Sequence, residues 1–184
     1  MKNKNMSNLS YDFYTPEVYE HFQNPRHAGV LAEATVAGEV GNVVCGDMMK
    51  IYLKVGQKNH EPYIENISFE TYGCAAAIAT SSMATDLALG KTLTVALKIT
   101  KAQVIKGLTD LPPQKVHCSI LAIDALGEAI YNYYISEEIT VPKDLQKRHE
   151  TIKKAQEILQ KRYEEWTKNG YVAEDNDEDD NEPA

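Results

Sequence analysis

The sequence predicts an α+β domain: a small three-stranded antiparallel sheet with helices packed on one face, plus an additional C-terminal helix. Three observations carry that prediction. Apolar residues alternate with period two between Val36 and Thr71, and they recur every three or four positions between Cys74 and Tyr134. The connections between the period-two runs are too short for a crossover helix, which favours an antiparallel meander.

In chain order, Met1 to Ser10 is polar, and residues 1–13 are expected to be a mobile N-terminus. Thr15-Pro16-Glu17 reads as an N-cap, a proline at N1 and an acid in the first turn, opening a short helix over Tyr14 to Phe22 that stops near Asn24-Pro25. Strands are expected at Val36–Val43, Met48–Val55 and Tyr63–Glu70, with turns at Cys45-Gly46-Asp47 and over Gly56 to Asn59. From Cys74 to Leu89 the Ala- and Ser-rich run reads as a helix burying Ile78, Met83 and Leu87, stopped at Gly90. Short helices follow at Leu93–Leu97 and Thr100–Leu108. After Pro112-Pro113 a longer helix spans His117 to Tyr134 on Ile120, Ile123, Leu126 and Ile130.

A last helix is expected from Pro142 to Trp166. Leu145, Ile152, Leu159 and Trp166 are spaced by seven, and Ala155, Ile158 and Tyr163 widen the stripe. The plain reading docks this stripe on its own domain; a partner or a second copy of the chain is the alternative. The expected organisation is a domain over 14–136, a helical extension over 137–170 and a disordered acidic tail over 171–184.

That tail carries seven acids and no base after Tyr171, so of the net charge of −8 it holds −7 and leaves about −1 for the rest. A near-neutral body lacks the basic stripe of a nucleic-acid binder. No apolar run approaches the roughly 20 residues needed to span a bilayer, and the first residues lack the apolar core of a secretory signal. Three cysteines are an odd number and too few for a disulfide framework, which suits a cytoplasmic, reducing setting.

What three reduced thiols are for is the chemical question. Cys45 lies in a turn before a strand, Cys74 where a strand gives way to a helix, and Cys118 in the first turn of a helix. Helix N-termini favour thiolate over thiol, which both metal ligation and sulfur nucleophilicity need. Asp47 and His117 add an oxygen and a nitrogen donor. Taken singly, each residue reads as readily as a small buried cysteine, a solvated histidine or a turn aspartate. Three functions use the same groups. One is an iron–sulfur site; another is zinc, although no CxxC spacing is present. The third is an enzyme with Cys118 as nucleophile, His117 as base and Asp47 as orienter, for which neighbouring residues on one helical turn point apart.

Together, Cys45-Gly-Asp-Met-Met-Lys50, Thr71-Tyr-Gly-Cys-Ala-Ala-Ala-Ile-Ala79 and Leu111-Pro-Pro-Gln-Lys-Val-His-Cys-Ser-Ile-Leu121 resemble the signature blocks of the IscU/NifU-type iron–sulfur cluster scaffolds. Glu20-His-Phe-Gln-Asn-Pro-Arg-His-Ala-Gly29 is similar to that family's first helix and following turn, and the likeness runs from Tyr14 to Tyr134. The resemblance implies a non-enzymatic scaffold and carrier. It would accept sulfur as a persulfide from a cysteine desulfurase, bind iron, assemble a [2Fe–2S] cluster and deliver it to apo iron–sulfur proteins. It implies Cys45, Asp47, Cys74, His117 and Cys118 as the cluster and metal site, with Cys118 as sulfur acceptor and zinc as an occupant after purification. A ferredoxin or other electron donor would serve as a further partner. Leu111-Pro112-Pro113-Gln114-Lys115 stands where the family binds an Hsp70-type chaperone and its co-chaperone, with Gln114 replacing the usual valine; the same prolines also read as a stiff connector. Neither nucleic acid nor membrane is implied, three thiols leave room for a homodimer sharing a cluster, and the short segment between Cys74 and His117 favours the IscU side over the zinc-dependent SufU branch.

Overall fold

The computed structural model describes residues 13–41 and 46–168. Helix α1 (Pro16–Gln23) precedes strands β1 (Val36–Gly41), β2 (Met48–Lys58) and β3 (Glu61–Tyr72). Helices α2 (Ala75–Ala88), α3 (Leu93–Ala96) and α4 (Lys101–Gly107) follow, and a 3₁₀ turn (Pro113–Lys115) leads into α5 (Val116–Ser136) and then α6 (Lys143–Lys168). The sheet is antiparallel in the order β1-β2-β3, so the α+β meander expected of the sequence is the fold observed. Residues 1–12, residues 42–45 with Cys45, and residues 169–184, which include the expected acidic tail over 171–184, lie outside the described residues.

Period two becomes a one-sided sheet. Val40, Met49, Ile51, Leu53, Ile67 and Phe69 are buried on the face that takes the helices. Glu39, Lys50, Lys54 and Glu65 form ion pairs on the other, Lys54 Nζ lying 2.9 Å from Glu65 Oε1. The hairpin is longer than its glycine suggests. Gly56 stays within β2, where an added Cβ would meet the Tyr63 ring at 2.8 Å, and the chain turns instead at Asn59-His60, both at positive φ (52° and 65°) as a two-residue hairpin turn requires.

Both outer strands are covered at their free edges. Gly29 N–H donates to Phe69 O (2.8 Å) and Phe69 N–H to His27 O (2.9 Å), while Ile64 exchanges bonds with Lys91 and Gly90 at 2.9 Å each. On β1, Asn132 Nδ2 of α5 donates to Ala37 O at 2.7 Å.

Helix α1 has the Thr15 cap that the sequence predicts; Thr15 Oγ1 accepts from Val18 N–H and donates to Leu108 O at 2.6 Å, tying α1 to the end of α4. Helix α2 departs from expectation. Its buried residues are Ala76, Ala77, Ala79, Thr80, Ser81, Ser82, Ala84, Thr85 and Ala88, and Ile78, Met83 and Leu87 are only partly covered. The helix is pressed between α1, β3 and α5, where close approach needs small side chains, and the hydroxyls of Thr80, Ser81 and Thr85 turn back to carbonyls of their own helix. Helix α5 buries Ile123, Leu126 and Ile130 as expected, whereas Ile120 is 40% exposed.

Helix α6 runs against α5 over its first turns only. Leu145 is buried and Ile152 half-buried; Arg148 donates from Nε (2.7 Å) and Nη2 (2.6 Å) to Asp124, and His149 Nδ1 lies 2.8 Å from Glu128 Oε2. The His149 ring also stacks on Tyr131, centroids 3.8 Å apart. The expected docking on the chain's own domain therefore holds for the first part of the stripe; beyond Ile152 every described side chain of α6 is exposed.

Candidate metal and sulfur site

Three chain junctions converge at one end of the sheet. Gly46, at φ +73°, turns the chain so that Asp47 enters the protein just before β2, and Asp47 is 7% exposed. Across β2 and β3, Gly73 leaves room for that carboxylate: a Cβ there would lie 3.0 Å from Asp47 Cγ and 2.8 Å from Ala77 Cβ. Cys74 then occupies the N-cap of α2 in extended backbone, with its carbonyl starting the helix and its thiol making no cap bond. The 3₁₀ turn, closed by Lys115 N–H on Pro112 O at 2.7 Å, delivers His117 and Cys118 in the first turn of α5.

The outcome is a tight group. The donor atoms of Asp47, His117 and Cys118 all lie within 4.8 Å of one another, with Asp47 and Cys118 buried and His117 half-buried. Cys118 Sγ is 3.9 Å from Asp47 Oδ2 and 3.8 Å from Cys74 Sγ. Sulfur, nitrogen and oxygen donors facing one point match the chemistry of thiophilic transition metals, and both sulfurs stand at helix N-termini. Four of the five residues singled out in the sequence are thus brought together; the fifth, Cys45, lies outside the described residues.

Two neighbours of the thiols were not expected there: Lys115, assigned in the sequence to the partner-binding segment, and Tyr14. Cys74 first, with Tyr14 and Cys118 adding to it, raises the Lys115 ammonium above its usual 10.5 against the opposing effect of burial. Tyr14 is raised above 10.0, chiefly by burial and then by Cys74, with Lys115 opposing. Lys115 had a signal, its place two residues before His117; Tyr14, some sixty residues before Cys74, had none. Of the rest of that segment, Leu111 is 4% exposed and packs with Val18, Leu108 and Cys118 in a small core beneath the thiols. Pro113 and Gln114 are exposed and, with Phe13, Tyr14 and Asp110, line a surface cleft of about 410 Å³.

Comparison with known proteins follows the same lines. Residues 13–139 match the family described as NifU-like N terminal domain. The iron-sulfur cluster assembly scaffold protein IscU 1 of Archaeoglobus fulgidus is 50% identical over 141 residues, covering 73% of this chain and 90% of that protein. IscU of Aquifex aeolicus is 42% identical over 124 residues, 67% of this chain and 78% of its own. Among solved structures, the SufU protein of Fervidobacterium islandicum AW-1 superposes with a TM-score of 0.52 over 66% of this chain and 98% of its own, at 20% identity a likeness of fold. With the family match spanning well over half its length, and relatives at this identity covered over most of theirs, the chain belongs to the NifU-like N-terminal domain family.

Proposed function

We propose that this protein is a scaffold on which an iron–sulfur cluster is assembled and from which it is passed on. The observation that carries the proposal is the convergence of Asp47, His117 and Cys118 with Cys74 Sγ 3.8 Å away, in a chain whose relatives are named cluster assembly scaffolds. The cargo is a [2Fe–2S] cluster, with Cys45 as the remaining thiolate. Its sulfur arrives from a cysteine desulfurase: a thiolate of the site attacks the outer sulfur of the persulfide, the S–S bond breaks, and the desulfurase thiolate leaves. Cys118 is the acceptor on this reading. Because Cys118 is 0% exposed, delivery to it requires its neighbours to yield, whereas half-buried Cys74 is open to approach.

Thiolates hold the cluster, and the harder carboxylate of Asp47 keeps that hold weak enough to release. A reductant such as a ferredoxin supplies electrons, and apo iron–sulfur proteins take the product. An Hsp70-type chaperone with its co-chaperone reads Pro113 and Gln114 on the cleft rim, which the structure leaves exposed. The setting is cytoplasmic; among the described residues no helix is long and apolar enough to cross a membrane.

Zinc is the second reading, because the same S, N and O donors suit a tetrahedral ion. Anaerobic reconstitution with iron, sulfide and thiol separates the two. Visible absorption from iron–thiolate charge transfer, abolished in Cys45→Ala, Cys74→Ala and Cys118→Ala, is the expected result. Asp47→Ala should keep the absorption but slow transfer to an apo-acceptor by about tenfold or more, the scale on which a ligand or its support typically acts. Tight zinc with no cluster under reducing conditions would sink the scaffold reading.

A further inference from the structure

A cluster is built from sulfide, whereas a desulfurase delivers sulfur as a persulfide, whose outer sulfur is two electrons more oxidised. Between arrival and use, an electron pair must reach that sulfur. The surroundings of Cys118 hold a group that can supply it. Cys74 Sγ lies 3.8 Å from Cys118 Sγ across 44 residues of chain, close to contact between two sulfurs. The helices that carry the two thiols hold them there. Cys74 caps α2, Cys118 lies in the first turn of α5, and α2 packs along α5. Cys118 belongs to the small core with Val18, Ala77 and Leu111, and Cys74 packs against that core.

Cys74 also stands apart from the other donors. The donor atoms of Asp47, His117 and Cys118 lie within 4.8 Å of one another, and Cys74 is not a member of that group. It reaches Cys118 from outside the group, with Cys118 Sγ as its near neighbour. A sulfur carried on Cys118 is bonded to that same Sγ, which becomes the inner sulfur of the persulfide. A Cys74 thiolate attacking there forms a new sulfur–sulfur bond. The old one breaks, and its electron pair leaves with the outer sulfur as HS⁻. The products are HS⁻ and a Cys74–Cys118 disulfide, so the electrons that reduce the outer sulfur come from the Cys74 thiolate and no outside reductant enters this step. Hydrogen sulfide is a stronger acid than a cysteine thiol, which makes HS⁻ the better leaving group.

We propose that Cys74 is the resolving thiol of this site: it attacks Cys118 Sγ, frees the delivered sulfur as sulfide and is left joined to Cys118 in a disulfide. The inference rests on the reading of Cys118 as sulfur acceptor. It also sets where a reductant acts. Electrons enter after the sulfide has left, two of them with two protons restoring the Cys74 and Cys118 thiols. Until then neither sulfur is available to iron, so sulfur, electrons and metal are taken in that order.

The test mixes the full-length chain, under argon and without iron or reductant, with a cysteine desulfurase that carries its persulfide and has been desalted free of cysteine. Released sulfide is assayed, and the cysteines are alkylated and mapped by peptide mass. The wild type should release about one equivalent of sulfide per chain and then stop, with Cys74 and Cys118 joined; a dithiol should restore the thiols and permit another round. Cys74→Ser should lower the sulfide yield by about tenfold or more, because the proximity of the attacking thiol is lost, and should leave the extra sulfur on Cys118. A wild-type chain that keeps a stable Cys118 persulfide overturns the inference and leaves the acceptor reading standing. The inference is overturned equally by sulfur moved onto Cys74, by a disulfide to Cys45, or by a disulfide that forms as fast without the desulfurase. Sulfur found on no cysteine, in wild type and variant alike, overturns the acceptor reading and this inference with it.

Discussion

Helix α5 is gripped from two sides, and the two grips are built on different terms. On the inner side, β1 approaches so closely at Gly38 that a Cβ would lie 2.1 Å from Ala129 N and 2.5 Å from Ala125 O, backbone atoms with nowhere to go. On the outer side, α6 crosses at Gly127, where an added Cβ would sit 3.4 Å from the Arg148 guanidinium, the far end of a flexible side chain. The inner contact is apolar and rigid; the outer one rests on Leu145 and a few polar groups around Asp124 and Glu128. The inner side carries His117 and Cys118 to their meeting with Asp47, so rigidity stands where ligand geometry matters. The outer side holds an attachment that tolerates adjustment.

The contrast can be broken most directly at Gly38. Gly38→Ala should cost about 3 kcal/mol, at the upper end for an overpacked core, read as a lower urea midpoint with unchanged slope. An effect below about 1 kcal/mol would show that β1 and α5 can separate and that the inner grip is no stiffer than the outer. A smaller loss is expected at α2, the other inner neighbour. Ser82 Oγ accepts from Arg26 N–H at 2.8 Å and lies 2.8 Å from buried His21 Nδ1, clamping the first turn of the chain to α2. Ser82→Ala orphans both groups at a cost of about 2 kcal/mol, measurable in the same denaturation series.

The same clamp has a pH signature. Burial first, and then Arg26, hold the His21 imidazole below its usual 6.5 against the opposing pull of Asp86 and Glu20. The folded protein thus prefers neutral His21. The stability this contributes is complete above the unfolded value near 6.5 and is lost as pH falls from there toward the folded pKa. His21→Asn should therefore flatten the decline in unfolding free energy between neutral pH and about pH 5; parallel wild-type and variant curves would count against it. The smallest effect, and one of opposite sign, belongs to the outer grip. Gly127→Ala should leave the protein within about 1 kcal/mol of wild type, on the stabilising side, because helix propensity favours alanine and Arg148 can move. A loss matching that of Gly38→Ala would erase the distinction between the two sides.

Much of this was legible in the sequence, and for physical reasons. Periods of two and of three to four survive in any chain that buries one face of a sheet or helix, so the order β1-β2-β3 followed by helices could be read off, as could the Thr15 cap. The site was legible as far as Asp47, Cys74, His117 and Cys118 because each marks a junction, and junctions of a small sheet gather at its end. What could not be read was pairwise. Periodicity counts large side chains and so pointed to Ile78, Met83 and Leu87, whereas a helix squeezed on three sides buries its Ala, Ser and Thr. Gly56 looked like a turn because nothing in the sequence announces that the Tyr63 ring lies over it. Tyr14 reaches the thiols only through the packing of α1 on α2, a contact with no local trace. The stripe on α6 is continuous in the sequence, yet past Ile152 its described members Ala155 and Ile158 are exposed, and a repeat does not record where its partner ends.

The guarded sheet edges have a consequence for how copies of this protein can meet. A three-stranded sheet ordinarily offers two open rims, each a template onto which another chain could zip and begin a fibre. Here the His27–Gly29 segment and the Gly90–Lys91 turn occupy the main-chain groups of Phe69 and Ile64 on one rim, and Asn132 takes a carbonyl of the other. Stacking through strands is thereby discouraged at the positions where it would start. Movement at the end of the sheet that bears Cys74 and Cys118 therefore need not expose a strand to neighbouring copies, and crowding at high expression should favour discrete species over ribbons.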